Sequence, residues 1–270
     1  MKTRVITGAV LVLALLVMVL IPYKWLAALV FGILMSIGSY ELLYGTNMVR
    51  HPRLVIYAAV MAFAVTMWSY FEASQPVMLL LIMLFLITLF GEMMHDHVKV
   101  RFDMIAMTFV AGFVVPLLLG GVIRILSMKV GRYFVIIPFI VAYMNDAGAY
   151  LVGIKFGKHK LAPVVSPNKT YEGLLGGLAG SVLGMILYSL VLQFAFKFQV
   201  NYLLAILYGV VGSSAGVFGD LCFSVIKRQT GIKDYGHLFP GHGGVLDRFD
   251  SMMLVAPLIE VLLTLLPLAV

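Results

Sequence analysis

Nine stretches of mostly apolar residues, each close to the length that crosses a bilayer, follow one another almost without a break. They leave the chain few folds to choose from. They run approximately over 5–21, 25–44, 54–71, 77–91, 104–126, 133–152, 173–196, 202–226 and 251–269, and the fourth is the shortest. A backbone facing lipid must satisfy its own hydrogen bonds, so runs of this kind are helices. Only 11% of the 270 residues are charged, against about 25% in soluble domains, so the usual water-facing surface is out of reach. The expected fold is all-α: a polytopic integral membrane protein with about nine transmembrane helices in a lipid bilayer and no separate soluble domain. The first run follows Lys2 and Arg4 like a signal peptide. No small-x-small cleavage site comes after it and further spans follow at once, so it is read as the first helix.

The basic residues fall unevenly between the loops. With nine helices, fourteen of the nineteen Lys and Arg residues share a side with the N-terminus, and Lys24, Arg124, Lys129, Arg132 and Lys197 fall on the other. Cytoplasmic loops carry the excess of Lys and Arg. The N-terminus and the loops after helices 2, 4, 6 and 8 are therefore expected in the cytoplasm, on the inner face of the cell's inner (plasma) membrane. The net charge of +7 is read as topology and phosphate contact. No basic-aromatic stripe marks a face for nucleic acid. The lone Cys222 allows no intramolecular disulfide and is read as a small packing residue.

The polar load is one-sided. Residues 1–130 form about five N-terminal spans with few ionisable groups; residues 131–270 form a C-terminal catalytic half with loops at 153–172 and 227–250. Gly173, Gly177, Gly180 and Gly184 make a small-residue ridge in the seventh run, which lets helices approach closely. Two carboxylates interrupt apolar runs. Asp220 is favoured as functional, because a charge at membrane depth costs several kcal/mol unless paired. The competing reading is an ion pair with Lys227 or Arg228 that holds helices together. For Asp146, next to Asn145, function and a structural pair with a lysine of the following loop are equally weighted. Ser166, Asn168, Lys169 and Thr170 precede a glycine-rich helix, a setting for capping and for anion binding. Residues 224–250 bring Lys227, Arg228, Lys233 and Arg248 beside Asp234, Asp247 and Asp250, around a Pro-Gly-His-Gly-Gly turn at 240–244. Cations neutralise phosphates, carboxylates are hard oxygen ligands for Mg²⁺, and glycine lets backbone approach a ligand. Glu92, His95, Asp96 and His97 are read as a solvated loop, and Glu41 and Glu260 as groups at helix ends that pair or snorkel.

Ser224, Lys227-Arg228, Lys233-Asp234, Gly236, Phe239-Pro240, His242-Gly243-Gly244 and Asp247-Arg248-x-Asp250 together resemble the signature of the CTP-dependent phosphatidate cytidylyltransferase family. Asn145-Asp146-x-Gly148, Gly157-Lys158 and Ser166-Pro167-x-Lys169-Thr170-x-Glu172-Gly173 fit the same family. The resemblance is close over the C-terminal half; in the N-terminal half only the hydropathy matches. It implies that CTP and phosphatidic acid give CDP-diacylglycerol and pyrophosphate, with Mg²⁺, a second cation such as K⁺, and a homodimer. On that reading Asp220 and Asp247 hold the divalent metal, with Asp250 and Asp146 as further or outer ligands. Lys227, Arg228, Lys233 and Arg248 contact the phosphates of CTP and pyrophosphate, and Ser166 and Lys169 the lipid phosphate. Asn145, Thr170, His242, Gly243 and Gly244 complete the substrate-binding set. Two other classes compete. One is a transporter with Asp146 and Asp220 along its pathway, against which the one-sided polar load counts. The other is a lipid phosphotransferase acting on a different head group.

Overall fold

The computed structural model describes residues 23–71 and 74–269. The first expected span, 5–21, lies outside the described residues. The seven that follow it are each present as a helix long and apolar enough to cross a membrane. They are α1 (Lys24–Gly45), α2 (Pro52–Phe71), α3 (Gln75–His95), α4 (Phe102–Ser127), α5 (Gly131–Phe156), α6 (Tyr171–Phe194) and α7 (Tyr202–Gln229). A four-residue turn, α8 (Leu246–Phe249), and the helix α9 (Met252–Leu265) complete the set. The fold is all-α and membrane-spanning, except for a two-stranded antiparallel hairpin that the sequence analysis does not anticipate. Its strands are β1 (Lys160–Ala162) and β2 (Ser166–Thr170), in register through Lys160 with Thr170 and Ala162 with Ser166.

The ninth expected span becomes the 14-residue α9, with Pro257 inside it. Pro267 sets its end, since the residue before a proline is pushed out of the helical region, and Leu266 lies at φ −135° and ψ 71°. The tail then turns to pair Ala269 with Val200, and Asn201 N–H donates to Leu268 O at 3.0 Å.

The chain divides into two compact units: residues 1–129 with 229–249, and residues 130–228 with 250–270. The loop 229–249, grouped by sequence with the C-terminal half, thus packs with the N-terminal helices. In the first unit, α1 and α4 each contain one wide π turn. That in α4, Val110–Val114, lies just ahead of Pro116, which has no N–H to continue the ladder. That in α1, Glu41–Gly45, lies at the end of the helix where Glu41 meets the loop. Glu92 is not solvated as expected: α3 runs on to His95, and the Glu92 carboxylate takes Arg53 at 3.1 Å and the Tyr57 hydroxyl at 3.3 Å.

In the second unit the glycine ridge of α6 meets α5 backbone to backbone. A methyl group at Gly177 would sit 2.5 Å from Asn145 Oδ1, and one at Gly148 or Gly180 would overlap main-chain carbonyls of the other helix. Ser181 Oγ donates across the same seam to Val141 O at 2.8 Å. Close approach of this kind needs small residues on both sides.

Candidate functional site

In the second unit, Thr170 closes the hairpin and caps α6, its hydroxyl accepting from Gly173 N–H at 3.0 Å. This satisfies one of the unpaired donors at a helix start. Glu172, the second residue of α6, takes the N–H groups of Lys158 and His159 at 3.1 and 3.2 Å and the His159 ring at 2.6 Å. The hairpin therefore stands on a fixed base, and its strand β2 delivers Lys169 to Asp220 as an ion pair. Lys169 is a partner that sequence reasoning does not consider for Asp220. Ser224, one turn further along α7, donates to Asp220 Oδ1 at 3.2 Å. Arg228 Nε donates to Val165 O in the hairpin turn at 3.1 Å.

Lys227 faces Asp250 at 3.8 Å, and both side chains are largely buried. Burial, followed by the charge of Asp220, pushes the Asp250 carboxyl above the usual carboxylate range; Lys227 opposes the shift and Asp146 adds to it. Asp146, Asp220 and Asp250 are thus electrostatic neighbours. Asn145 ties three helices together: its Oδ1 accepts from Ser213 on α7 at 2.7 Å, Gly177 of α6 packs against it, and its Nδ2 lies 3.4 Å from Asp146 Oδ1. Asn145, Asp146, Asn168, Lys169 and Thr170 line one cavity of about 190 Å³, with Tyr150, Leu161 and Leu174 as apolar wall. Ser166, at the far end of β2, is not among its lining residues.

In the first unit, the loop 232–248 is shaped by its backbone. His242 N–H donates to Phe239 O at 2.8 Å, with Pro240 and Gly241 between them and Gly241 at φ +78°. Proline then a positive-φ glycine is the sequence a type II turn requires. Phe239 N–H returns to Gly243 O at 2.9 Å, and Gly243 lies at φ +81°. The buried Asp247 closes the loop: its Oδ2 accepts from Tyr235 N–H at 2.8 Å and Gly244 N–H at 3.0 Å. Around this frame Lys233, Asp234, His237, His242 and Arg248 line a cavity of about 540 Å³. Two of these residues each carry a buried nitrogen, Arg248 Nε and His242 Nδ1, with no hydrogen-bond partner among the described residues. Arg248 Nε is a donor, and leaving a buried donor unsatisfied costs about 1–3 kcal/mol, so it favours a ligand that offers an acceptor.

The structure therefore brings the expected site residues together in two groups. Asn145, Asp146, Lys169, Thr170, Asp220, Lys227 and Asp250 belong to the second unit, and Lys233, His242, Gly243, Gly244, Asp247 and Arg248 to the first. No three His, Cys, Asp or Glu side chains converge closely enough to hold a metal among the described residues. Carboxylates such as those of Asp146, Asp220 and Asp250 are the donor type that a hard divalent cation takes. Sequence reasoning misses Glu41. Expected at a helix end to pair or snorkel, it is 4% exposed and accepts from the N–H groups of Val245 and Leu246.

Comparison with known proteins bears on this arrangement. Over 133 residues the chain is 45% identical to a protein of Staphylococcus haemolyticus (strain JCSC1435) named phosphatidate cytidylyltransferase, covering 49% of this chain and 50% of that one. It is 45% identical over 137 residues to the protein of the same name from Staphylococcus aureus (strain COL), with the same coverage. The match to that of Staphylococcus saprophyticus subsp. saprophyticus is 44% over 133 residues. The chain spans about half the length of the curated relatives it matches. The model of the cytidylyltransferase family, by contrast, aligns with residues 2–266, nearly end to end, and the chain belongs to that family.

Proposed function

We propose that this chain transfers a cytidylyl group from CTP to phosphatidic acid, giving CDP-diacylglycerol and pyrophosphate for phospholipid synthesis. The observation that carries the reading is the first-unit cavity lined by Lys233, His237, His242 and Arg248, with two buried nitrogens that lack partners. Such a wall suits a polyphosphate, and the names of the similar proteins point to CTP. A phosphate oxygen of phosphatidic acid attacks the α-phosphorus of CTP, the bond from that phosphorus to the bridging oxygen breaks, and pyrophosphate leaves with the electron pair. The nucleophile is already ionised at neutral pH, so no strong general base is needed. The protein aligns the two phosphates and neutralises their charge.

Lys233 and Arg248 are proposed to hold the triphosphate and the departing pyrophosphate, with Lys227 and Arg228 as further cations. Lys169, Ser166 and Thr170 are the proposed contacts of the lipid phosphate, beside Asn145. Asp220, Asp250 and Asp146 are the proposed donors for Mg²⁺ in the second unit, and Asp247 in the first, with K⁺ as a second cation. A divalent ion there would offset phosphate charge that side chains alone leave uncompensated. The proposed setting is the plasma membrane, with the N-terminus, the hairpin and the loop 229–249 in the cytoplasm, on the strength of the asymmetry of Lys and Arg. The proposed assembly, a homodimer, rests on the family resemblance.

The test is turnover by purified protein in detergent with labelled CTP and phosphatidic acid. CDP-diacylglycerol and pyrophosphate should form in equal amounts and only with Mg²⁺. Equal turnover with ATP, or activity that survives EDTA, would remove the reading.

A further inference from the structure

Glu41 stands in a membrane-spanning helix, and no salt bridge to it is present among the described residues. A buried carboxylate in a span is a functional candidate by default. Here its two oxygens are divided between two backbone amides: Oε1 accepts from Val245 N–H and Oε2 from Leu246 N–H, each at 3.0 Å. The wide turn Glu41–Gly45 lies where this contact is made. Two glycines of the loop make room for the carboxylate, since a methyl group on Gly236 or Gly244 would run into its oxygens. Gly45 in turn passes so close to Tyr235 O that it too admits no side chain. The end of α1 is thus shaped as a seat for both flanks of the loop that carries Lys233, His242 and Arg248.

We infer that Glu41 is a positioning residue for the polyphosphate cavity: its carboxylate fixes the backbone at Val245 and Leu246 and so holds His242 and Arg248 in place for CTP. This rests on the function proposed above. Glutamine at this position keeps the shape but offers one oxygen and an NH₂ group, so one of the two buried amides would face a donor.

The test combines hydrogen exchange with kinetics on the full-length protein in detergent, comparing the parent with Glu41→Gln and, independently, Gly236→Ala, which crowds the carboxylate without altering it. The expected result is local. Amides of 232–248 exchange at least about tenfold faster, while those of α2 and of the α5–α6 seam keep their parental rates. KM for CTP rises about tenfold, while KM for phosphatidic acid stays within about twofold. Unchanged exchange in 232–248 in both variants would overturn the inference, as would acceleration throughout α1–α4, which marks a fold-wide role. Faster local exchange with an unaltered KM for CTP would also overturn it. If the parent does not turn over CTP, the functional proposal fails, and exchange alone still decides whether Glu41 braces the loop.

Discussion

Four acidic residues at the candidate site, two in each unit, are neutralised in opposite ways. In the first unit, Glu41 and Asp247 each take two backbone amides. In the second, Asp220 and Asp250 face the ammonium groups of Lys169 and Lys227. An amide is fixed in the chain, so a carboxylate bound to it is part of the frame. A lysine sits on a flexible stem and can swing aside for another cation or follow a phosphate. The same residue type therefore builds the architecture in one place and an exchangeable charge in the other.

Removing each kind of carboxylate tests that difference. The largest effect is expected from Asp220→Asn. On the proposed function it should slow turnover about a hundredfold or more while melting near the parental temperature, because losing a metal ligand removes several kcal/mol of transition-state stabilisation. Turnover against Mg²⁺ concentration beside a thermal melt would check this; turnover and melting temperature falling together would make Asp220 part of the frame as well. Asp247→Ala should do the reverse in structural terms. It strands the buried Tyr235 and Gly244 amides, at about 1–3 kcal/mol each, and should loosen 229–249 as seen by limited proteolysis. A protease-resistant loop in that variant would break the comparison.

A control lies at the α5–α6 seam. Gly177→Ala should lower the melting temperature by pushing on Asn145, with a cost of about 1–3 kcal/mol for overpacking. It should leave the exchange of 232–248 untouched. The smallest effect is expected from Asp250→Asn measured in EDTA. Asp250 ionises above the ordinary range in the folded protein, so its charge is penalised there relative to the unfolded chain. That penalty is absent in acid, where both states are protonated, and grows as pH rises through and beyond the ordinary carboxylate range. The asparagine variant should therefore match the parent in acid and gain stability over it toward pH 8, by thermal melts across that range.

What could be read from the sequence follows the reach of each interaction. Spans α1 to α7 are legible because hydropathy is a property of consecutive residues, and the ridge Gly173, Gly177, Gly180 and Gly184 because its period is that of one helix. Asp220 is legible as an anomaly, but its partner Lys169 comes from a hairpin with a three-residue strand, too short to announce itself. Glu41 is missed because its partners are backbone amides more than 200 residues away, and amides carry no sequence signal. Its trace in the sequence is indirect: a carboxylate in an apolar run, answered by glycines at 236 and 244. Glu92 is misread for a simpler reason, since α3 continues to His95, four residues past the end of its apolar run at 91.

The shortness of α9 acts as a depth gauge. Fourteen residues rise only about 21 Å, less than the roughly 30 Å of a hydrocarbon layer. The far end of α9 is tied to the start of α7 through Asn201 and Leu268, so both helices are measured from one boundary. Asp220 lies eighteen residues along α7, about 27 Å from that boundary, and Asp250 stands just before α9 begins. Measured along the helices from that shared end, both carboxylates stand at roughly 20–27 Å, toward the far side of a layer about 30 Å thick. On the proposed function, a phospholipid whose phosphate rests just outside the hydrocarbon would need only a short descent of its head to reach them, and its tails could stay at their resting height.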